Sequence, residues 1–100
     1  MEINESLNVG LNEAERKAAT VLYRSLQSAA KAYEDGGRDG HILKNIMEIT
    51  IQSEPLAEIQ YVSCADRNTL QELDQITDGA LLSMAVYVGK TRLIDNIVII

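Results

Sequence analysis

The chain has no phenylalanine and no tryptophan, and its only aromatic side chains are four tyrosines. A core must therefore come from Ile, Leu, Val, Ala and Met. Cys64 is the single cysteine, so no internal disulfide forms and a disulfide-stapled scaffold is excluded; a reducing compartment fits. His41 is the single histidine, whereas metal sites usually need several Cys, His or carboxylate ligands converging. No apolar run approaches the roughly 20 residues that span a bilayer. No run of five like charges forms a tail. The opening residues, Met1-Glu2-Ile3-Asn4-Glu5-Ser6, lack a basic segment followed by an apolar one. The expectation is a cytoplasmic chain without a secretory signal, in which the acceptor pattern Asn4-Glu5-Ser6 carries no glycan.

What remains is ordinary for one globular domain. The 100 residues are 46% hydrophobic, too apolar for a disordered segment. A chain this long buries about two thirds of its unfolded surface, enough for one modest core. Asp and Glu outnumber Lys and Arg 15 to 9, for a net charge of -6. Phosphate backbones and anionic membranes repel such a surface, so neither is an expected partner.

Periodicity gives the order of elements. Asn12 with Glu15 forms a capping-box pattern. Beyond it Ala18, Leu22, Leu26, Ala29 and Tyr33 recur at helical spacing, and Asp35-Gly36-Gly37 ends the helix. A second helix restarts at Asp39 or Gly40, with Ile42, Leu43, Ile46, Met47 and Thr50 sharing a face, and stops at Glu54-Pro55. Leu56 to Cys64 is a strand in which Ile59, Tyr61 and Ser63 point one way and Glu58, Gln60, Val62 and Cys64 the other. Asp66 to Leu73 reads as a short helical turn capped by Asp66 or Asn68. After the Asp78-Gly79 turn, Ala80 to Val88 is apolar almost throughout, as in a central strand. Gly89-Lys90-Thr91 turns the chain into a last strand, Arg92 to Ile100. The expected class is α+β: two helices and a short helix on a small, mostly antiparallel three-stranded sheet.

The candidate chemistry is sparse. Gly89-Lys90-Thr91 has the ending of a phosphate-binding loop, but that loop needs another glycine where Met84 stands, and a helix after it; a hairpin turn is the better reading. His41 at a helix start reads as solvent-exposed. Cys64 on a strand reads as a buried, inert thiol. The carboxylate pairs Glu13/Glu15 and Glu72/Asp74 read as solvated rather than as acid–base pairs. Asp95 lies within an apolar strand and needs a partner there. Alternation puts Arg92 on the opposite face, so backbone N–H groups or Arg67 are the candidates.

The last segment, Gly89-Lys90-Thr91-Arg92-Leu93-Ile94-Asp95-Asn96, resembles the G-x-T-R-L-I-D-N segment that closes the pantothenate synthetases. Leu81 to Gly89 is similar to the apolar strand before it, and Ile59-Gln60-Tyr61-Val62-Ser63 resembles the family's Y-V-E-I-V-D strand. Asn8-Val9-Gly10-Leu11-Asn12-Glu13-Ala14-Glu15-Arg16 resembles the end of S-S-R-N-V-Y-L-S-P-E-E-R. The resemblance implies an ATP-dependent pantoate–β-alanine ligase. In it pantoate and ATP form pantoyl adenylate, with Mg2+ assisting, and β-alanine then displaces AMP. It further implies that residues 1–11 are a hinge or linker from a nucleotide-binding domain and residues 12–100 a C-terminal lid domain. That other domain would carry the catalytic groups and would be the lid's partner, bringing pantoate, β-alanine and ATP. No catalytic residue and no metal ligand is then expected in this chain, and no cofactor bound to it alone. Of the family's ATP-contacting Ser-Ser-Arg only Ser6 survives; Glu5 and Leu7 occupy the other places. Loss of the guanidinium removes a forked phosphate donor, and Glu5 adds negative charge. A competing reading is a stand-alone, non-catalytic protein-interaction module with the lid fold.

Overall fold

The computed structural model describes residues 13–100. Helix α1 spans Glu13–Glu34 and helix α2 spans Gly40–Gln52; strands β1, β2 and β3 follow at Ala57–Ala65, Ala80–Val88 and Thr91–Ile99. The sheet is antiparallel in the order β1-β2-β3. Both helices pack on one of its faces, so the class is α+β as expected, with β2 central. The expected cap at Asn12 lies outside the described residues.

The stripe of α1 buries as its spacing dictates. Ala18, Leu22, Leu26, Ala29 and Tyr33 all enter the core, joined by the buried Ala19, Val21 and Ser25. Ser25 satisfies its hydroxyl by donating to the Leu22 carbonyl at 2.7 Å, as a buried polar group must. The helix ends in a Schellman closure. Gly37 N–H donates to Ala32 O and Gly36 N–H to Tyr33 O, and Gly36 takes φ 106, a conformation that glycine tolerates and other residues resist. Arg38 then folds back over the Tyr33 ring, 3.8 Å from its centroid, and donates to the Tyr33 and Gly37 carbonyls.

Asp39 caps α2, its carboxylate accepting from the His41 and Ile42 N–H groups. The buried face of α2 is Gly40, Leu43, Met47 and Ile51. Here the expectation needs correcting. The spacing puts Ile42 on the core face, but it is 57% exposed, and Ile51 takes the inward place instead. Leu43, Met47 and Ile51 follow one another at i+4, and that row faces the sheet. Isoleucines occur on both sides of this helix, so its periodicity does not mark a single face.

A second correction concerns β1. Ile59 pairs with Val86 but Tyr61 pairs with Ala85, so Gln60 is an extra residue, a β-bulge. A bulge shifts the alternation by one. Ile59 and Val62 therefore both pack against the core, with Cys64 inside it. Tyr61 and Ser63 lie on the outer face, opposite to where period-2 counting from Ile59 puts them. A third correction is the expected short helix at Asp66 to Leu73. This segment is a capped turn: the Asp66 carboxylate accepts from the Asn68 and Thr69 N–H groups, and Leu70 adopts φ 66. Two isolated bridges, Ala65 with Glu72 and Asp39 with Gln75, tie the loop down.

The β2–β3 connection is a two-residue hairpin. Val88 pairs with Thr91, and Gly89 takes φ 62, the pattern of a type II′ turn with glycine at its first position. The phosphate-loop alternative for Gly89-Lys90-Thr91 is thereby excluded.

Gly40 sits where helix α2 meets the 66–79 loop. Its N–H donates to the Asp74 carbonyl at 2.9 Å, and a Cβ there would overlap the Leu73 carbonyl oxygen. Helix propensity alone makes Gly→Ala favourable by about 1 kcal/mol. We expect the clash to outweigh that gain and Gly40→Ala to destabilise the chain by about 1–3 kcal/mol, the usual range for overpacking. Thermal denaturation followed by circular dichroism checks this. The wild type should melt cooperatively and the variant several degrees lower.

Candidate functional site

The densest group of polar side chains lies where the start of α2 meets the 66–79 loop. His41, exposed at the start of the helix, brings Nε2 to 2.6 Å from Asp74 Oδ1. One turn on, Lys44 Nζ lies 3.3 Å from Glu72 Oε1. The other Glu72 oxygen accepts from the Ser63 hydroxyl on β1. Glu72 and Asp74 therefore do not face each other as an acid–base pair: each holds a different partner, both in contact with solvent. Such exposed pairs contribute about 0–1 kcal/mol each.

A histidine oriented by a carboxylate is part of an acid–base relay, and a relay needs a nucleophile within hydrogen-bond reach. Ser63 is committed to Glu72. Cys64, next in the chain, is fully buried, and burial pushes its thiol up, with the Glu72 carboxylate pushing the same way and Lys44 opposing. It is the inert thiol that its strand position suggested. Among the described residues no three His, Cys, Asp or Glu side chains converge as a metal site would require.

The remaining candidates separate in space. Arg67 donates to the Asp78 carbonyl at 2.9 Å and lies 3.3 Å from its carboxylate, so it closes the loop and is not the partner of Asp95. Glu13 is exposed, but Glu15 is buried against the fold rather than solvated, a correction to its expected place. Arg92 points to the outer face, where its Nε donates to Gln60 Oε1 at 2.7 Å. Asp95 lies on the opposite, helix-facing side of β3, half-buried and paired in register with Met84. Its carboxylate accepts the Asn96 N–H at 2.9 Å, so the backbone alternative holds. Burial raises the Asp95 carboxyl above its ordinary value, and that hydrogen bond only partly opposes the rise. Ser6, Glu5 and Leu7 lie outside the described residues.

The comparisons with known proteins decide the family. The model of the family "Pantoate-beta-alanine ligase" matches residues 4–98. The chain belongs to this family. It is 53% identical over 92 residues to the pantothenate synthetase of Chloroflexus aurantiacus (strain J-10-fl), covering 91% of this chain and 33% of that protein. It is 48% identical over 91 residues to that of Clostridium botulinum (strain Loch Maree), covering 91% and 32%. A crystal structure of pantothenate synthetase from Thermus thermophilus superposes with a TM-score of 0.81 at 30% identity, over 90% of this chain and 32% of that one. The chain thus spans about a third of the length of the ligases it matches. No described helix is long and apolar enough to cross a membrane.

The family's diagnostic segment holds Asp95, and its titration is testable. The folded carboxyl titrates above 3.8, its ordinary value, so the neutral form is the one that folding favours. The stability this brings is complete below the unfolded pKa and is lost as pH rises through the raised folded one. Asp95→Asn removes the buried charge and keeps an oxygen for the Asn96 N–H. We expect the variant to melt above the wild type at pH 7 and the difference to vanish in acid, below about 3.8. Melting curves across this range check it.

Proposed function

We propose that the chain acts as the C-terminal lid domain of an ATP-dependent pantoate–β-alanine ligase, over a hinge at residues 1–11. The ligase would join the two substrates through pantoyl adenylate and release AMP. One observation carries this reading: the family match covers nearly the whole chain but only about a third of each relative. The described residues fit a covering role. They hold no nucleophile with its base and no converging metal ligands. Mg2+ does not suit them, and no step runs through it on this chain. The chemistry would then belong to a nucleotide-binding domain, the lid's partner in the same protein. ATP would meet this chain near Ser6, where Leu7 offers no guanidinium to the phosphates. A cytoplasmic location accords with such a ligase.

The lid would contribute coverage. Closing a domain over a bound nucleotide excludes water and strengthens the polar contacts beneath it. The chain alone should therefore make no pantothenate. With pantoate, β-alanine and Mg-ATP, AMP release should not exceed the enzyme-free background. A chimera in which this chain replaces the matched third of the Chloroflexus aurantiacus pantothenate synthetase should turn over. Turnover by the chain alone would overturn the lid reading. An inactive but folded chimera would favour the stand-alone interaction module.

A further inference from the structure

The sheet has two faces, and only one is covered. Helices α1 and α2 pack on the side carrying Ile59, Val62, Cys64, Leu82, Met84 and Val86. The register gives the other face row by row. Tyr61, Ala85 and Ile94 form one row, Ser63, Ser83 and Asn96 the next, and Ala65, Leu81 and Val98 the last. Glu58, Tyr87 and Arg92 close the hairpin end with one charge of each sign, and at the β1 edge the Glu72 carboxylate reaches the Ser63 hydroxyl.

An antiparallel sheet with one face on the core normally turns a polar face to water. This one does not. Tyr61 and Tyr87 are more than a third exposed, and Ile94 and Val98 are half exposed. The strands put no charged residue into three rows in succession, although the chain as a whole is rich in charged residues. A face of aromatic and branched side chains around a small-polar row, with its charges at the hairpin end and the β1 edge, has the composition of an interface rather than of a solvated surface.

The size of the face decides between occupants. Three strands about 4.8 Å apart, each nine residues long at about 3.3 Å per residue, give a plane of about 14 by 30 Å, or roughly 400 Å2. A complex between separate molecules usually buries about 800 Å2 on each partner, so this face is small for a self-standing dimer. A domain of the same polypeptide needs less: interfaces within a chain start at about 600 Å2 in total, roughly 300 Å2 a side, because the tether supplies a high effective concentration. The relatives provide such a polypeptide, since about two thirds of their length has no counterpart in this chain.

We infer that the outer face of the sheet, centred on Tyr61, Tyr87, Ile94 and Val98, is the surface that docks on the rest of the ligase polypeptide, leaving the helices turned outward. The inference rests on the lid reading above and adds the side on which the lid closes. Its hairpin end, with Glu58, Gln60 and Arg92, forms the polar rim of the contact.

Tyrosine nitration read by mass spectrometry tests it in the Chloroflexus chimera and in the chain as given. Tyr61 and Tyr87 should react about tenfold more slowly in the chimera, as side chains in a closed, water-excluding interface do. Tyr23, half-buried on the helical layer, should react alike in both. Within the chimera, Ile94→Glu should restore the reactivity of Tyr61, because an unpaired charge is costly to bury. Ile49→Glu, on the exposed side of α2, should leave the protection intact. Melting curves of both variants establish that they fold. Equal rates for Tyr61 and Tyr87 in chimera and chain would overturn the docking. So would protection in the chain alone that rises with concentration alongside a dimer mass, which would assign the face to a second copy. The two readings fail separately: an inactive chimera with protected tyrosines overturns the ligase reading and keeps the interface, and an active chimera with reactive tyrosines does the reverse.

Discussion

The fold depends on one close approach of backbone to backbone, between Gly40 and the loop at Leu73-Asp74. At that point the start of α2 lies against the chain that links β1 to β2, with no side chain between them. Two further bonds extend the contact. Ile76 N–H donates to Arg38 O at 2.7 Å, and Leu73 N–H to Cys64 O at 2.9 Å. They seat Ile76 in the core and hold a loop of more than ten residues close to the sheet end. Buried backbone groups need such partners, and a loop this long without helix or strand has no internal ladder to supply them.

From that contact the helical layer takes its position. Asp39 both caps α2 and bridges to Gln75, so the helix begins where the loop holds it. The row Leu43, Met47 and Ile51 then faces the sheet, and the face with Ile42 and Ile49 turns to solvent. The exposed pairs of His41 with Asp74 and Lys44 with Glu72 form along the same seam. They follow from the contact rather than cause it, since ion pairs in water add little.

In the proposed lid, the sheet's two faces divide the labour. Packing uses the inner face, and docking on the rest of the polypeptide is the role proposed for the outer one. A domain that contributes coverage is limited by fit and closure, not by the titration of a catalytic side chain. Asp95, its carboxyl raised by burial, bonds the backbone of its own strand.

Much of this was legible in the residues. The α1 stripe, the glycines that end it, the apolar β2 and the II′ hairpin are local signals, set by period and by backbone freedom within a few positions. The opposite faces of Arg92 and Asp95 followed from simple alternation, and the inert, buried thiol of Cys64 from its place on a strand. The family itself was readable from Thr91 to Asn96. Tertiary structure decided the rest, and in each case the cause lies far away in the chain. The bulge at Gln60 exists because β1 must match β2, and it moved Tyr61 to the outer face, where no count from Ile59 would put it. The inward side of α2 was chosen by the sheet, since isoleucines on both sides of the helix gave no single period. The Asp66 turn closes on itself, Asp66 N–H to Gln71 O and Leu70 N–H to Asp66 O, and does not go on as a helix because Leu73 N–H is drawn to Cys64 O on β1. Local pattern determines which elements form; which way each one faces is settled only by the partner it packs against.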